Sequence, residues 1–461
     1  MVTLADFELG DRIHSRAATC VHRATRRDGT PVIVKLLTEE YPTERTLAAF
    51  ELGYRIGRKV ACDAVIPHLE LVQAGNGLAL VTEDFGAVSL DRLSRDQLPE
   101  LADRLRVAVT VAEALVQVHA RAVIHKDIKP HNVVINLETG VTKLIDFGIA
   151  SQLTREHPSL KTPGRMEGTL AYVSPEQTGR MNRSIDSRSD LYSLGVTLYE
   201  LFTGRLPFDS NDPMTLIHGH LARRPVPPAE LDSGVPAPLS ALIVTLLAKA
   251  PEDRYQTAYG VARDLRALLA AHEAGSPLEA VSLRVEDVSS RFAIPGKLYG
   301  RATEAATLLE AFHRASRGAR ELFLVAGYSG IGKSALVQEV YRPITEHRGW
   351  YCAGKFDQFR RDLPYAALIE ALRDLVRQLL TETDARIADL RNKLLAALGD
   401  NGQVIVDVVP ELEAVIGTQS AVPDVSPTEA QHRFDNVFKQ FIRVFARPEH
   451  PLTLFIDDLQ W

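Results

Sequence analysis

Cysteine is scarce in this 461-residue chain, which holds only Cys20, Cys62 and Cys352. They are odd in number, far apart and without metal-ligand spacing. That excludes a disulfide framework and a structural zinc site, and a reducing cytoplasmic setting is expected. A basic footprint is also missing: the formal net charge is −6, so no nucleic-acid partner is expected. The N-terminal MVTLADFELGDR is acidic and lacks the apolar core of a signal peptide. The longest apolar run, near Ala241–Ala248, falls far short of the ~20 residues that a membrane helix needs. The remaining composition, 45% hydrophobic and 24% charged, is ordinary for globular protein. The length suggests about three domains.

What is present is concentrated in Val123–Ala150, VIHKDIKPHNVVINLETGVTKLIDFGIA. Two acidic centres sit there on short loops between apolar runs, one in His125–Asn132 and one at Asp146-Phe147-Gly148. VVIN and TKLIDF read as two short strands joined by a turn at Glu138-Thr139-Gly140. Such a hairpin brings Asp127, Asn132 and Asp146 to one mouth. Phosphoryl transfer needs that set: one carboxylate orients and deprotonates a hydroxyl, while an amide and a second carboxylate hold Mg²⁺ on the phosphates. Lys129 is expected to offset charge on the transferring group.

At these residues the chain resembles the eukaryotic-type serine/threonine protein kinases, whose signature is H-R-D-L-x-x-x-N followed by D-F-G. It departs at Lys126 and Ile128. The resemblance implies an α+β two-lobed fold with a small β-rich N-lobe and a helical C-lobe. It makes Asp127, Lys129 and Asn132 catalytic and gives Asn132 and Asp146 to the metal. Residues 7–38 alternate as antiparallel strands, and VIVK places Lys35 on one of them, matching the lysine that binds ATP phosphates. LALVTEDF reads as a further strand, with Thr82 as gatekeeper and Glu83–Phe85 as the hinge that meets adenine.

Two family features are missing. The phosphate-covering hairpin, normally glycine-rich so that backbone N–H groups approach closely, reads Ile13-His14-Ser15-Arg16-Ala17-Ala18-Thr19-Cys20. The helix over Thr43–Val60 should carry a glutamate partner for Lys35. Alignment through Glu40–Thr43 and Tyr54 puts Gly53 there, and Glu51 faces away because two residues turn a helix by ~200°. Beyond the catalytic loop, residues 149–173 form the activation segment, with Thr169 set against Asp127 and Lys129. Ser174-Pro175-Glu176 stands for A-P-E, Arg254 pairs with Glu176, Asp190 braces the catalytic loop, and Ser189 is expected as a helix N-cap. The Pro-rich run 225–238 reads as a loop between helices.

A second motif begins after a linker at 270–297. Glu321–Ala326 is expected as a strand, followed by Gly327-Tyr328-Ser329-Gly330-Ile331-Gly332-Lys333-Ser334, which matches G-x-x-x-x-G-K-[ST] in full. The glycines Gly327, Gly330 and Gly332 let the backbone cradle phosphates, Lys333 reaches the β/γ-phosphates, and Ser334 binds Mg²⁺. Leu452–Asp458 resembles a Walker B strand, with Asp457 for Mg²⁺ and Asp458 as a water-orienting acid. The resemblance is to AAA-type signal-transduction ATPases, found within large bacterial multidomain signalling kinases. The sequence ends three residues after Asp458, so a partial α/β P-loop domain at 298–461 is expected after a kinase domain at 1–269. The expected function is ATP- and Mg²⁺-dependent phosphorylation of Ser or Thr on a protein substrate, with signalling partners and no membrane span. The alternative is a scaffold that binds partners without phosphotransfer.

Overall fold

Alternating apolar residues organise the first strands. In β3 (Pro31–Leu37), Val32 and Val34 are fully buried on one face while Lys35 lies on the other. The computed structural model describes residues 4–15, 19–93, 97–98, 100–151, 169–179, 184–287, 300–328, 331, 333–338, 344, 349–356, 365–379, 384–423 and 425–459. β1 (Phe7–Ser15), β2 (Thr19–Arg26), β3, β4 (His68–Ala74) and β5 (Gly77–Glu83) form one antiparallel sheet in the order β1-β2-β3-β5-β4. The β2–β3 turn is fixed by Asp28, whose Oδ1 accepts from Thr30 N at 2.9 Å, and by Gly29 at φ 88°. Helix α1 (Glu44–Lys59) packs on this sheet and starts at Thr43, whose hydroxyl accepts from Thr46 N at 3.2 Å.

β6 (Val88–Ser89) leads to the helical part. α2 (Leu101–Ala120) buries Leu105, Ala108, Ala112 and Leu115, which recur at helical spacing along one face. β7 (Val133–Ile135) and β8 (Thr142–Leu144) are the hairpin inside the catalytic stretch, paired antiparallel with β6 at the edge. α3 (Ser187–Thr203) follows, then α4 (Pro213–Leu221), the short α5 (Pro228–Leu231) within the Pro-rich run, α6 (Ala237–Leu246) and α7 (Ala258–Glu273). The apolar faces of α3, α6 and α7 join α2 in one core around Leu191, Leu194, Leu242, Ile243 and Leu265. The N-cap of α3 is Asp186, whose Oδ1 accepts from Arg188 N at 2.9 Å, not Ser189 as expected. A carboxylate at the start of the first turn outcompetes a hydroxyl two residues in, where the backbone is already helical.

The second unit is described by itself. α8 (Ala302–Ala315) and the short α9 (Lys333–Gln338) precede β9 (Trp350–Lys355). β9 pairs in parallel with β10 (Leu452–Asp457), Trp350 opposite Leu452 and Lys355 opposite Asp457. Between them, α10 (Ala366–Leu379) buries Leu372, Leu375, Val376 and Leu379, and meets α11 (Asp384–Leu398) and Phe441 and Phe445 of α12 (Pro427–Phe445) in a separate core. Ser426 and Glu429 form a capping box at the start of α12. The strand expected at Glu321–Ala326 is not formed. That stretch has no ladder partner among the described residues, and Leu322 and Leu324 are 87% and 73% exposed. An apolar run becomes a strand only when a neighbour pairs its backbone groups; here β9 and β10 pair with each other.

Candidate active site

The catalytic loop is shaped from beneath by Asp190 of α3. Its Oδ2 accepts from His125 N at 2.9 Å and its Oδ1 from Lys126 N at 2.7 Å, while His119 Nε2 lies 2.8 Å from Oδ2. Burial works against the Asp190 charge, yet His119 and the neighbouring donors hold its carboxyl below the ordinary range. These bonds keep Lys126 in the left-handed region at φ 67°, which strains a residue with a side chain. His125 Nδ1 accepts from Asp127 N at 3.3 Å, so Nε2 carries the proton and donates to Ile145 O at 3.2 Å. Gln177 Nε2 closes the loop by donating to Lys126 O at 3.0 Å.

That frame presents a compact cluster. Lys129 Nζ lies 2.5 Å from Asp127 Oδ2 and donates to Thr169 Oγ1 at 2.7 Å, and Thr169 Oγ1 lies 3.5 Å from Asp127 Oδ1. Asn132 Nδ2 donates to Asp127 O at 2.8 Å and to Oδ2 at 3.0 Å. Its amide is thereby oriented, and Asn132 Oδ1 is buried with no hydrogen-bond partner among the described residues. On the other side of the hairpin Asp146, at φ 65°, takes Lys35 Nζ at 2.8 Å and Gly148 N at 3.2 Å on Oδ1. Burial would raise the Asp146 pKa, but the Lys35 ammonium and these hydrogen bonds keep its carboxyl well below the usual carboxylate range.

Asn132 and Asp146 line one cavity of about 400 Å³ with Lys35, Thr82, Glu83 and Phe85. Its volume suits a nucleotide-sized ligand. Glu83 is fixed by Lys143 Nζ at 2.5 Å, the Lys143 ammonium lies 4.9 Å from the Phe85 ring centroid, and Asn136 Nδ2 donates to Phe85 O at 2.6 Å. An orphaned buried amide oxygen beside a carboxylate held ionised is a donor set that a hard divalent cation satisfies.

The upper wall of the cavity is built differently. Glu51 is exposed and Gly53 is buried on the inner face of α1. A Cβ on Gly53 would meet Gly148 Cα and Phe147 O at 3.4 Å. One turn on, Gly57 leaves a notch that the His68 ring fills, because a Cβ there would lie 2.1 Å from the imidazole. His68 packs edge-on against Phe147, with ring centroids 6.1 Å apart, and Phe147 meets His125 at 4.7 Å. Burial pushes the His68 pKa down to about 4, so the ring is neutral near pH 7. Sequence reading missed this histidine and its glycine notch, since neither belongs to a motif; the pairing of a Gly in α1 with a His opening β4 is the only signal. Residues 16–18 of the glycine-poor hairpin lie outside the described residues.

Beyond the loop, Glu176 and Arg254 form a fully buried bidentate pair at 2.7 and 2.8 Å. Ser189 Oγ, released from capping, donates to Glu176 Oε1 at 2.7 Å. In the second unit, Lys333 opens α9 and its Nζ donates to Gly327 O at 3.0 Å and Tyr328 O at 3.1 Å. Gly330 and Gly332, and the side chain of Ser334, lie outside the described residues. Asp457 ends β10, its Oδ1 accepting from Asp458 N at 2.9 Å, and Lys355 pairs with Asp458 at 2.9 Å.

A carboxylate held by a lysine, an amide and a hydroxyl, across a nucleotide-sized cleft from a lysine–aspartate pair, defines a protein-kinase type of site on a two-lobed kinase fold. Comparison with known families agrees. A protein kinase domain model matches residues 8–264, more than half of the chain, and an AAA ATPase domain model matches residues 297–461. The chain belongs to the protein kinase family, with a serine/threonine kinase unit first and an AAA ATPase unit second. It is 38% identical over 330 residues to the hybrid signal transduction histidine kinase G of Dictyostelium discoideum, which covers 67% of this chain and 10% of that protein. It is 36% identical over 228 residues to the serine/threonine-protein kinase PknB of Mycobacterium tuberculosis, covering 49% of this chain and 35% of that one. A probable serine/threonine-protein kinase of Clostridium acetobutylicum is 30% identical over 241 residues, covering 51% and 35% respectively. The chain thus spans between a tenth and about a third of the length of these relatives. Among the described residues, no helix is long and apolar enough to cross a membrane.

Proposed function

We propose that the first unit transfers the γ-phosphate of ATP to a serine or threonine hydroxyl of a protein substrate. The observation that carries this reading is the Asp127 carboxylate, held by Lys129 and by Asn132, a residue that lines the cavity, at 2.5 and 3.0 Å. Asp127 orients the hydroxyl and takes its proton as the oxygen bonds to the γ-phosphorus and the bond to the bridging oxygen breaks, releasing ADP. Lys129 offsets charge on the moving group, and Thr169 keeps the two side chains together. Lys35 positions the phosphates, and adenine lies against Thr82, Glu83 and Phe85. Asn132 Oδ1 and Asp146 are the groups that would hold Mg²⁺, which when bound neutralises phosphate charge.

The same proposal gives the second unit an ATP site made by the backbone of Gly327, Gly330 and Gly332 with Lys333, with Ser334 and Asp457 toward a metal ion. The proposed division is a kinase unit at 1–269, a linker at 270–297 and the P-loop unit at 298–461, with Asp287 of the linker accepting from Gln256 N and Thr257 N just before α7. Three free thiols, set far apart, support a cytoplasmic setting. One observation favours a second reading, a scaffold without phosphotransfer: Gly53 presents no carboxylate to Lys35. The test is incorporation of γ-phosphate from Mg²⁺-ATP into a generic protein substrate by the wild-type chain and by Asp146→Asn. Mg²⁺-dependent transfer that disappears in the variant supports the kinase reading; no transfer by the wild type supports the scaffold.

A further inference from the structure

The kinase match ends at residue 264, yet the chain stays on this unit well beyond it. Leu278, Val281 and Leu283 pack against the helical core. Asp287 then holds the backbone just before α7: its carboxylate accepts from Gln256 N at 2.8 and 2.9 Å, and from Thr257, the N-cap residue, through N at 3.0 Å and Oγ1 at 3.2 Å. The side chain is 1% exposed, and a Cβ on Gly260 would sit 2.7 Å from Asp287 Oδ1, so the glycine makes room for it.

Arg284 makes the second grip. Its backbone is left-handed at φ 61°, and its N–H donates to Asp264 Oδ2 at 2.6 Å, which also takes the Tyr255 hydroxyl at 2.8 Å. Its guanidinium lies over the Tyr255 ring at 5.6 Å and donates to Arg254 O at 3.1 Å. Arg254 is the residue whose guanidinium holds Glu176 in the activation-segment anchor. Two charged side chains of this strap therefore fix the backbone on either side of Tyr255 from outside the matched kinase region.

We propose that Arg284 and Asp287 are positioning residues for phosphotransfer, acting through Arg254 and Glu176 on the segment that carries Thr169. The proposal rests on the kinase reading of the site.

The experiment uses the full chain with Arg284→Met, Asp287→Ala and the conservative Asp287→Asn. Two quantities are read: kcat and KM for Mg²⁺-ATP with a generic protein substrate, and amide hydrogen exchange across residues 174–179. Arg284→Met and Asp287→Ala should each lower kcat about five- to tenfold while KM for ATP stays within about twofold, the pattern of lost positioning rather than lost binding. Exchange at Gln177 and Gly179 should quicken in both, and Asp287→Asn, which keeps one acceptor, should recover part of kcat. Exchange that quickens only at residues 256–260, with 174–179 and kcat unchanged, would reduce Asp287 to a local brace of the backbone before α7 and overturn the proposal. Should Asp287→Ala not fold, Arg284→Met decides, since its side chain is 41% exposed. A wild-type chain without phosphotransfer overturns the kinase reading, and the exchange comparison still decides whether the strap reaches Glu176.

Discussion

The catalytic-loop wall of the cleft and the wall formed by β3 and α1 hold their side chains by different means. Below, Asp190 reaches two consecutive backbone N–H groups, His125 bridges to Ile145, and Gln177 takes Lys126 O. Each partner comes from a different part of the chain, so the geometry of Asp127 is over-determined. Above, Lys35 has Asp146 as its carboxylate partner, and two glycines stand where α1 faces Phe147 and His68. The lower wall stores its precision in buried hydrogen bonds, the upper in shape. Loss of a partner should therefore be costly below, whereas the upper wall should respond mainly to volume.

Arg254→Met tests the lower wall most severely. It leaves Glu176, fully buried and held ionised by that guanidinium, without its partner. The expected loss is about 3–5 kcal/mol in urea unfolding of the first unit. A loss below about 1 kcal/mol would show that the anchor is not buried in solution.

Volume tests the upper wall. Gly57→Ala drives a methyl into the His68 ring, 2.1 Å away, and should destabilise by about 1–3 kcal/mol. Gly53→Ala meets only ordinary contacts and should stabilise by up to about 1 kcal/mol through helix propensity. Equal effects at the two sites would erase the distinction between notch and open face.

Acid separates the buried histidines from the ionised carboxylates by the pH range in which each loses its contribution. His68 and His220 are pushed down to about 4 and about 3 by burial, from 6.5. The unfolded chain therefore binds protons there first, and stability should fall as pH drops from about 6.5 toward 4. The slope is up to about 1.4 kcal/mol per pH unit for each histidine. Asp146, Glu176 and Asp190 have depressed pKa values, so their contribution persists at those pH values and is lost only in stronger acid. Urea midpoints between pH 7 and pH 4.5 check this; a flat profile contradicts it.

The smallest effect is expected from Gly53→Glu. A carboxylate aimed at Phe147 and Gly148 offers Lys35 a second partner and frees Asp146 for other ligands. KM for ATP should fall by a few-fold, since an ion pair at a partly exposed lysine adds only about 1 kcal/mol. Glu51→Ala, on the exposed face, should leave KM unchanged.

Motifs made the lower wall legible. H-x-D-x-x-x-x-N and D-F-G name their own chemistry, and the spacing between them fits a hairpin. The helix at 101–120 follows from apolar residues recurring at helical spacing. Long-range choices were not legible. Asp186 and Ser189 are both good capping residues, and the helix start at Ser187, with Ser189 already helical and bonded to Glu176, leaves the cap to Asp186. The stretch 270–297 has linker composition, yet Asp287 is recruited by two N–H groups thirty residues earlier. Leu322 and Phe323 have strand propensity, but propensity supplies no neighbour.

The central claim is that Asp127 acts in chemistry rather than in binding. It is tested by measuring Mg²⁺-ATP affinity and phosphotransfer on the same preparations of the wild-type chain and Asp127→Asn. The account expects affinities within about threefold and a transfer rate lower by at least about 10³-fold in the variant, because the proton acceptor and orienting oxygen are lost together. Transfer by Asp127→Asn at close to the wild-type rate, or a wild type that binds Mg²⁺-ATP and transfers nothing, would contradict it.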